Sequence, residues 1–348
     1  MFALVDGSNF FVSCERVFQP ELLHKPVVVL SNNDGCIVAR SNEAKQFGIK
    51  MGEPRFKCQR LLSLYDIQVR SSNFALYADI SQRMIQLLRQ FSPELEVYSI
   101  DECFLYFAHK NLDFDQIGND IKQCITTHLG IPVGIGFGKT KTLAKMANKL
   151  AKSSATSICN IHDYDLDKVL ATFPVEELWG IGRRFTKKLN KYQIYTAKQY
   201  VKAPAAFIRH HFHSPGEQIQ LELMGKSVKK IETEKDKNKS IVSSRSFGEK
   251  VTAYHHIQAA VASNITRAVA KLRKQGLVAK HIRVYLIERI KGRRVSVSEA
   301  EVVLPYESSV TQLFIEEVFK VLPQCFEKGR CYAKSGVYLS GLIEKHAL

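Results

Sequence analysis

The chain has 348 residues, with 50 Lys and Arg against 34 Asp and Glu, a formal net charge of +16 at pH 7. Apolar residues make up 45% and charged residues 24%, a globular balance that argues against wholesale disorder. No apolar stretch approaches the ~18 residues of a membrane span, and the start Met1-Phe2-Ala3-Leu4-Val5-Asp6 meets a carboxylate at once, unlike a signal peptide.

Strand-like runs open the chain at residues 2–5 and 26–30 and return at 96–107, 131–137 and 157–161, rich in β-branched and aromatic residues. Helical spacing separates them: Ile80, Met84, Leu87, Leu88 and Phe91 within 77–91, and a second helix over 142–152. Interleaved strands and helices predict an α/β or α+β layer up to about residue 165. From 164 to 226 the pattern is helical. Residues 229–239 are charge-dense with Ile231 as the one apolar side chain, and read as a linker. Beyond it, strands at 241–249, 282–290 and 294–304 alternate with helices at 257–272 and 310–321, a second, small α+β domain.

Residues 240–348 hold 17 Lys and Arg against 9 Asp and Glu, half of the net surplus in under a third of the chain. A polyanion suits that distribution, because each neutralised phosphate releases counterions. The eight cysteines form no CxxC and no Cys/His pair at zinc spacing, as expected of thiols in a reducing cytoplasm. The stretch 134–140 invites a phosphate-loop reading, but position 133 is Val where that loop needs Gly, and Lys139 stands where a dinucleotide fingerprint needs its third Gly. A strand-to-helix turn is the simpler reading. The run Arg209-His210-His211-Phe212-His213 lacks Cys or acid partners at zinc spacing and reads as surface histidines.

Three carboxylates sit in strongly apolar sequence: Asp6 at the end of the first strand, and Asp101-Glu102 inside the run 97–107. Such acids either face water at an edge or turn, or are paired or bound to a cation. In a regular strand Asp101 and Glu102 point to opposite faces, so a shared cation requires a turn or bulge there. Oxygen-only ligation suits Mg²⁺, and two such ions ~4 Å apart stabilise both oxygens of an in-line phosphoryl transfer.

Asp6-Gly7-Ser8-Asn9-Phe10-Phe11 together with Tyr98-Ser99-Ile100-Asp101-Glu102-Cys103-Phe104 resembles the active-site motifs of Y-family DNA polymerases, most closely the UmuC type. Asn32-Asn33-Asp34-Gly35-Cys36, Glu43-Ala44-Lys45, Gly48-Ile49-Lys50-Met51-Gly52 and Ser244-Arg245-Ser246-Phe247-Gly248-Glu249 extend the resemblance over nearly the whole chain. It implies an α+β polymerase with a palm at 1–18 and 76–165, fingers at 19–75, a helical thumb at 166–228, the linker at 229–239 and a DNA-binding little finger at 240–348.

By that resemblance Asp6 and Asp101 bridge two Mg²⁺ ions, Glu102 holds the ion that activates the primer 3′-hydroxyl, and the Gly7 carbonyl completes the nucleotide-side ion. Phe11 takes the place of a steric gate against the ribose 2′-hydroxyl, with Phe10 packed beneath it; the expected split rests on strand-like alternation. The resemblance implies Phe10, Lys45, Asn42 and Lys152 as nucleotide-binding residues, the last three at the triphosphate, although either lysine can equally be a solvated helix residue. Gly180 and Gly182, followed by Arg183, resemble a helix-hairpin-helix that grips DNA phosphates. In the last domain Arg245 leads a pool of basic residues that also includes Arg267, Lys271, Arg283, Arg289, Arg293 and Arg294. The expected reaction is error-prone, template-directed dNTP addition in translesion synthesis during an SOS response.

Partners implied are primer-template DNA, dNTP, a UmuD′-like subunit, a RecA filament and the sliding clamp, with no membrane. Relatives commonly continue into a tail with a clamp peptide, which is not visible here, and Gln312-Leu313-Phe314 lies inside a helical period. A noncatalytic DNA-binding subunit and a nucleotide cyclase on a similar palm are the rival readings.

Overall fold

The structure, a computed structural model, describes residues 1–109, 112–233, 238–289 and 295–345. It divides into two units, Met1–Lys235 and Asp236–Leu348. The charge-dense segment expected as a linker spans the division, and its residues 234–237 lie outside those described.

The first unit starts with β1 (Phe2–Gly7), buried along its length. Its alternate side chains serve two cores, Ala3 and Val5 on one face and Phe2 and Leu4 on the other, which is why the run is apolar throughout. Next come α1 (Phe10–Phe18), β2 (Val27–Leu30), β3 (Ile37–Arg40), α2 (Asn42–Gln46), α3 (Arg55–Leu64) and β4 (Gln68–Arg70). The strands β3-β2-β4 form a small sheet closed over Val28, Leu30, Ile37, Ile49, Cys58 and Leu62.

The chain then returns through α4 (Phe74–Leu88), β5 (Leu95–Val97), β6 (Glu102–Tyr106), α5 (Phe114–Leu129), β7 (Val133–Gly138), α6 (Lys141–Ala151) and β8 (Ile158–Asn160). These complete a five-stranded sheet of order β5-β6-β1-β7-β8, with β1 at its centre. The glycine-rich stretch at 134–140 is a strand-to-helix turn, with the Thr140 hydroxyl capping α6 by accepting from the Leu143 N–H at 3.2 Å. Its glycines have a packing purpose. A Cβ on Gly136 would lie 2.0 Å from the Asn148 backbone nitrogen, so only Gly lets α6 settle this close to β7.

A helical section follows: α7 (Leu166–Thr172), α8 (Arg183–Lys191), α9 (Ala197–Lys202) and α10 (Ala205–Leu223). It shares a core with one face of α6 through Leu143, Met146 and Ala147. The helix α10 kinks at His213, where φ is 59°, two residues before Pro215. His210 and His213 on this helix are exposed.

The second unit contains β9 (Ile241–Val251), α11 (Tyr254–Lys274), β10 (Leu277–Arg289), β11 (Val295–Ser308), α12 (Thr311–Cys325) and β12 (Tyr332–Glu344). The antiparallel sheet runs β11-β10-β12-β9. Ile282, Val284 and Leu286 alternate inward to meet Ile257, Val261 and Phe314 of the two helices. Of Gln312-Leu313-Phe314 on α12, Phe314 is fully buried in the core and Leu313 packs against it, while Gln312 is exposed. The strand β12 is not among the sequence expectations, because Gly336 and Gly341 interrupt its apolar pattern. No described helix is long and apolar enough to cross a membrane.

Candidate active site

The run 96–107 is not one strand. Residues 98–101 turn between β5 and β6, and the Tyr98 and Ser99 N–H groups donate to the Glu102 carbonyl at 3.0 and 3.1 Å. This turn supplies the break that two adjacent acids need to serve one site. Glu102 is the cross-strand partner of Asp6, and the Gly7 N–H donates to the Asp101 carbonyl at 2.8 Å. The Ser99 hydroxyl donates to Asp101 Oδ1 at 2.6 Å and lies 3.3 Å from Glu102 Oε2.

Asp6 is shared by two adjoining cavities. One, of about 200 Å³, is lined by Asp6, Gly7, Phe11, Arg40, Lys45 and Asp101. The other, of about 240 Å³, is lined by Asp6, Glu102, Lys145, Lys149, Lys152 and Trp179 among others. Burial pushes the Asp6 carboxyl up to about 6; Lys152 opposes the shift, and repulsion from Glu102 and Asp101 adds to it.

Among the described residues, no three His, Cys, Asp or Glu side chains converge closely enough to form a ready cation cage. The reason is local. Lys152 Nζ donates to Asp6 Oδ2 at 3.0 Å, Lys145 Nζ donates to Glu102 Oε1 at 2.8 Å, and Ser99 holds Asp101. The donor set still fits hard divalent cations: it is all oxygen, partly buried and acidic, and two ammonium groups already stand in for positive charge.

The cavity beside Phe11 is built on the β1–α1 turn. Asn9 adopts the left-handed conformation at φ 48°, a state that Asn tolerates, and sends α1 away from the strand. Because Phe10 and Phe11 begin a helix, their different exposures come from helical rotation, and the expectation of strand-like alternation is corrected here. Phe10 is buried and Phe11 half-buried; both border the cavity, with Phe11 stacked on Tyr77 at 4.4 Å between centroids and edge-on to Phe74. The Tyr77 hydroxyl donates to Glu15 at 2.5 Å, which fixes the ring beneath Phe11.

Lys45 Nζ donates to Asn9 Oδ1 at 2.6 Å and to Asn42 Oδ1 at 3.1 Å, and Asn9 also donates to Asn42. Burial, then the nearby Arg40 and Lys152 cations, lower the Lys45 pKa. Lys152, placed by resemblance at the triphosphate, is bonded to Asp6. Arg40, Asn9 and Lys145 are site residues that the sequence reading left unassigned. A signal for Lys145 existed, since it precedes Lys152 by two helical turns and so shares its face.

Gly180 has φ +93°, and Gly182 caps the exposed N-terminus of α8, where Arg183 and Arg184 are solvent-facing. Arg245 lies exposed on β9 of the second unit. Arg283 is drawn into ion pairs with Glu299 and Glu301 at 3.6 and 3.4 Å. Arg293, Arg294 and the Arg289 side chain lie outside the described residues.

Residues 5–149 match the impB/mucB/samB family and residues 238–348 match the impB/mucB/samB family C-terminal domain. The chain is 38% identical to Protein SamB of Salmonella typhimurium over 98% of its length and 82% of that protein's. It is likewise 38% identical to Protein UmuC of the same species, covering 99% of this chain and 84% of the relative. A Y-family DNA polymerase chimera of Dbh and Dpo4 superposes with a TM-score of 0.77 at 20% identity, over 99% of this chain and 100% of that one. Its fold is that of palm, fingers, thumb and little finger, and with these relatives the chain belongs to the impB/mucB/samB, UmuC-type branch of the Y-family DNA polymerases.

Proposed function

We propose that the protein is an error-prone translesion DNA polymerase of an SOS-type response, adding dNTPs to a primer 3′-hydroxyl with two Mg²⁺ ions. The observation that carries this is the place of Asp6, a carboxylate common to two cavities, with Asp101 and Gly7 on one side and Glu102 on the other. That arrangement supports Asp6, Asp101 and the Gly7 carbonyl as the groups that would hold a cation on the nucleotide side, and Asp6 with Glu102 as those that would hold one on the primer side. When bound, the ions supply charge neutralisation for the attacking and leaving oxygens.

The chain's own groups bind and orient. Lys45 and Arg40 bring positive charge to the nucleotide cavity, with Asn9 and Asn42 holding the Lys45 ammonium in place. Lys152 neutralises Asp6 until the nucleotide arrives, and is then available to its phosphates. Phe11, backed by Tyr77, closes the wall against a 2′-hydroxyl. The Gly180–Gly182 turn with Arg183 grips DNA phosphate by backbone N–H and charge, and Arg245 adds grip from the second unit.

The segments expected from the sequence serve as the domains: palm at 1–18 and 76–165, fingers at 19–75, thumb at 166–228, little finger at 240–348. A cytoplasmic location and association with a UmuD′-like subunit, a RecA filament and the sliding clamp accompany this reading. Primer extension tests it. The wild-type protein should extend a primer on undamaged and lesion-bearing templates only with a divalent cation, while Asp101→Ala abolishes extension and keeps DNA affinity. Robust extension by Asp101→Ala overturns the mechanism.

A further inference from the structure

One side chain links the candidate DNA-gripping turn to a catalytic carboxylate. Trp179, the chain's single tryptophan, immediately precedes Gly180. Its indole N–H donates to the Tyr98 hydroxyl at 2.9 Å, 81 residues away in sequence, and the two rings meet edge-on at 5.4 Å. Tyr98 belongs to the turn whose backbone is fastened to the Glu102 carbonyl.

The Lys145 ammonium bonded to Glu102 at 2.8 Å also lies 4.3 Å from the Tyr98 ring centroid and 5.4 Å from that of Trp179. The indole receives a second ammonium, Lys229 at 3.7 Å. Lys145 therefore has two sources of attraction, a carboxylate and an aromatic wall. If Glu102 is to hold a cation, Lys145 must surrender it, and the wall it already faces is where its charge can rest.

We propose that Trp179 is a positioning residue: with Tyr98 it forms the alternative seat for Lys145, and so couples occupancy of the phosphate-gripping turn to release of Glu102. The idea rests on the reading of Glu102 as a metal ligand. Movement of the 180–182 backbone towards a phosphate shifts Trp179, alters the seat and changes how readily Glu102 is released. Binding at the turn and readiness at the acid then share one free energy.

Trp179 is also its own reporter. Mg²⁺ with dATP, added to the protein on a dideoxy-terminated primer-template so that the turn and both sides of the site are loaded and no turnover occurs, should produce a saturable change in tryptophan emission that tracks binding measured by calorimetry and exceeds the change without DNA. Lys145→Met should abolish the emission change even at dATP concentrations that saturate it by calorimetry, and Lys145→Arg, which keeps a cation for the wall, should restore it. In steady-state extension, Trp179→Phe, which keeps a ring and loses the N–H, should lower kcat about fivefold and leave the dNTP KM within about twofold.

The outcomes separate the two readings. Calorimetric binding with unchanged emission, an equal emission response in Lys145→Met, or an unaltered kcat in Trp179→Phe overturns the coupling and leaves the active-site assignment standing. Absence of any Mg²⁺-dATP binding overturns the site assignment, and the coupling falls with it.

Discussion

The candidate-site hairpin and the second unit both depend on charge but place it differently. Around Asp6 the charges are few, partly buried and mutually paired: Lys152 on Asp6, Lys145 on Glu102, and Lys141 on Glu96 behind them. In the second unit they are spread along α11 and over the strands, exposed, with several spent on neighbours, as Arg283 is on Glu299 and Glu301. Buried charge makes each residue indispensable, because its partner is left uncompensated when it is removed. Dispersed surface charge makes each residue replaceable, because affinity for a polyanion is a sum over many small contributions.

The largest effect that follows is at Asp6. Asp6→Asn keeps shape and loses the charge, so single-turnover incorporation should fall at least about 10³-fold, with DNA affinity within about threefold by anisotropy. A loss under tenfold would place Asp6 on the replaceable side of the contrast. Close packing gives a second test. Gly136→Ala sets a methyl against the backbone of α6 and should cost about 3 kcal/mol in urea unfolding. Gly248→Ala, on β9 of the second unit with nothing within 4 Å of its Cβ position, should change stability by less than about 0.5 kcal/mol.

Phe11→Ala opens the nucleotide cavity while Phe10 keeps the core, so ribonucleotide insertion relative to dNTP should rise roughly tenfold or more in competition assays. No rise would remove the gate from Phe11. The smallest effect belongs to the second unit. Arg267→Ala should weaken DNA binding a few-fold on every sequence and lower the salt slope by about 1. A loss as large as that at Asp6 would break the contrast.

The three acids stood out in the sequence because a carboxylate inside Leu4-Val5-Asp6 or Ile100-Asp101-Glu102-Cys103 is costly without a partner, and a cation shared by Asp101 and Glu102 would need a turn, which the structure has at 98–101. Most helices and strands were legible for an equally local reason, their 3.6- and 2-residue periods. The Phe10 and Phe11 pair shows the limit. That Phe10 is the more buried ring was anticipated, yet for a strand rather than a helix, since two apolar residues carry no period of their own; both rings border the cavity. The strand β12 was lost to two glycines.

What the sequence determined alone was the chemistry available: oxygen ligands for hard cations, a ring beside them, and a surplus of positive charge for a polyanion. What tertiary structure decided was pairing. Lys145 on Glu102, Lys152 on Asp6, Arg40 beside Lys45 and Trp179 on Tyr98 join residues between 5 and 146 positions apart. Composition does not encode such meetings; they exist because the sheet order β5-β6-β1-β7-β8 brings distant strands side by side and lays α6 across them.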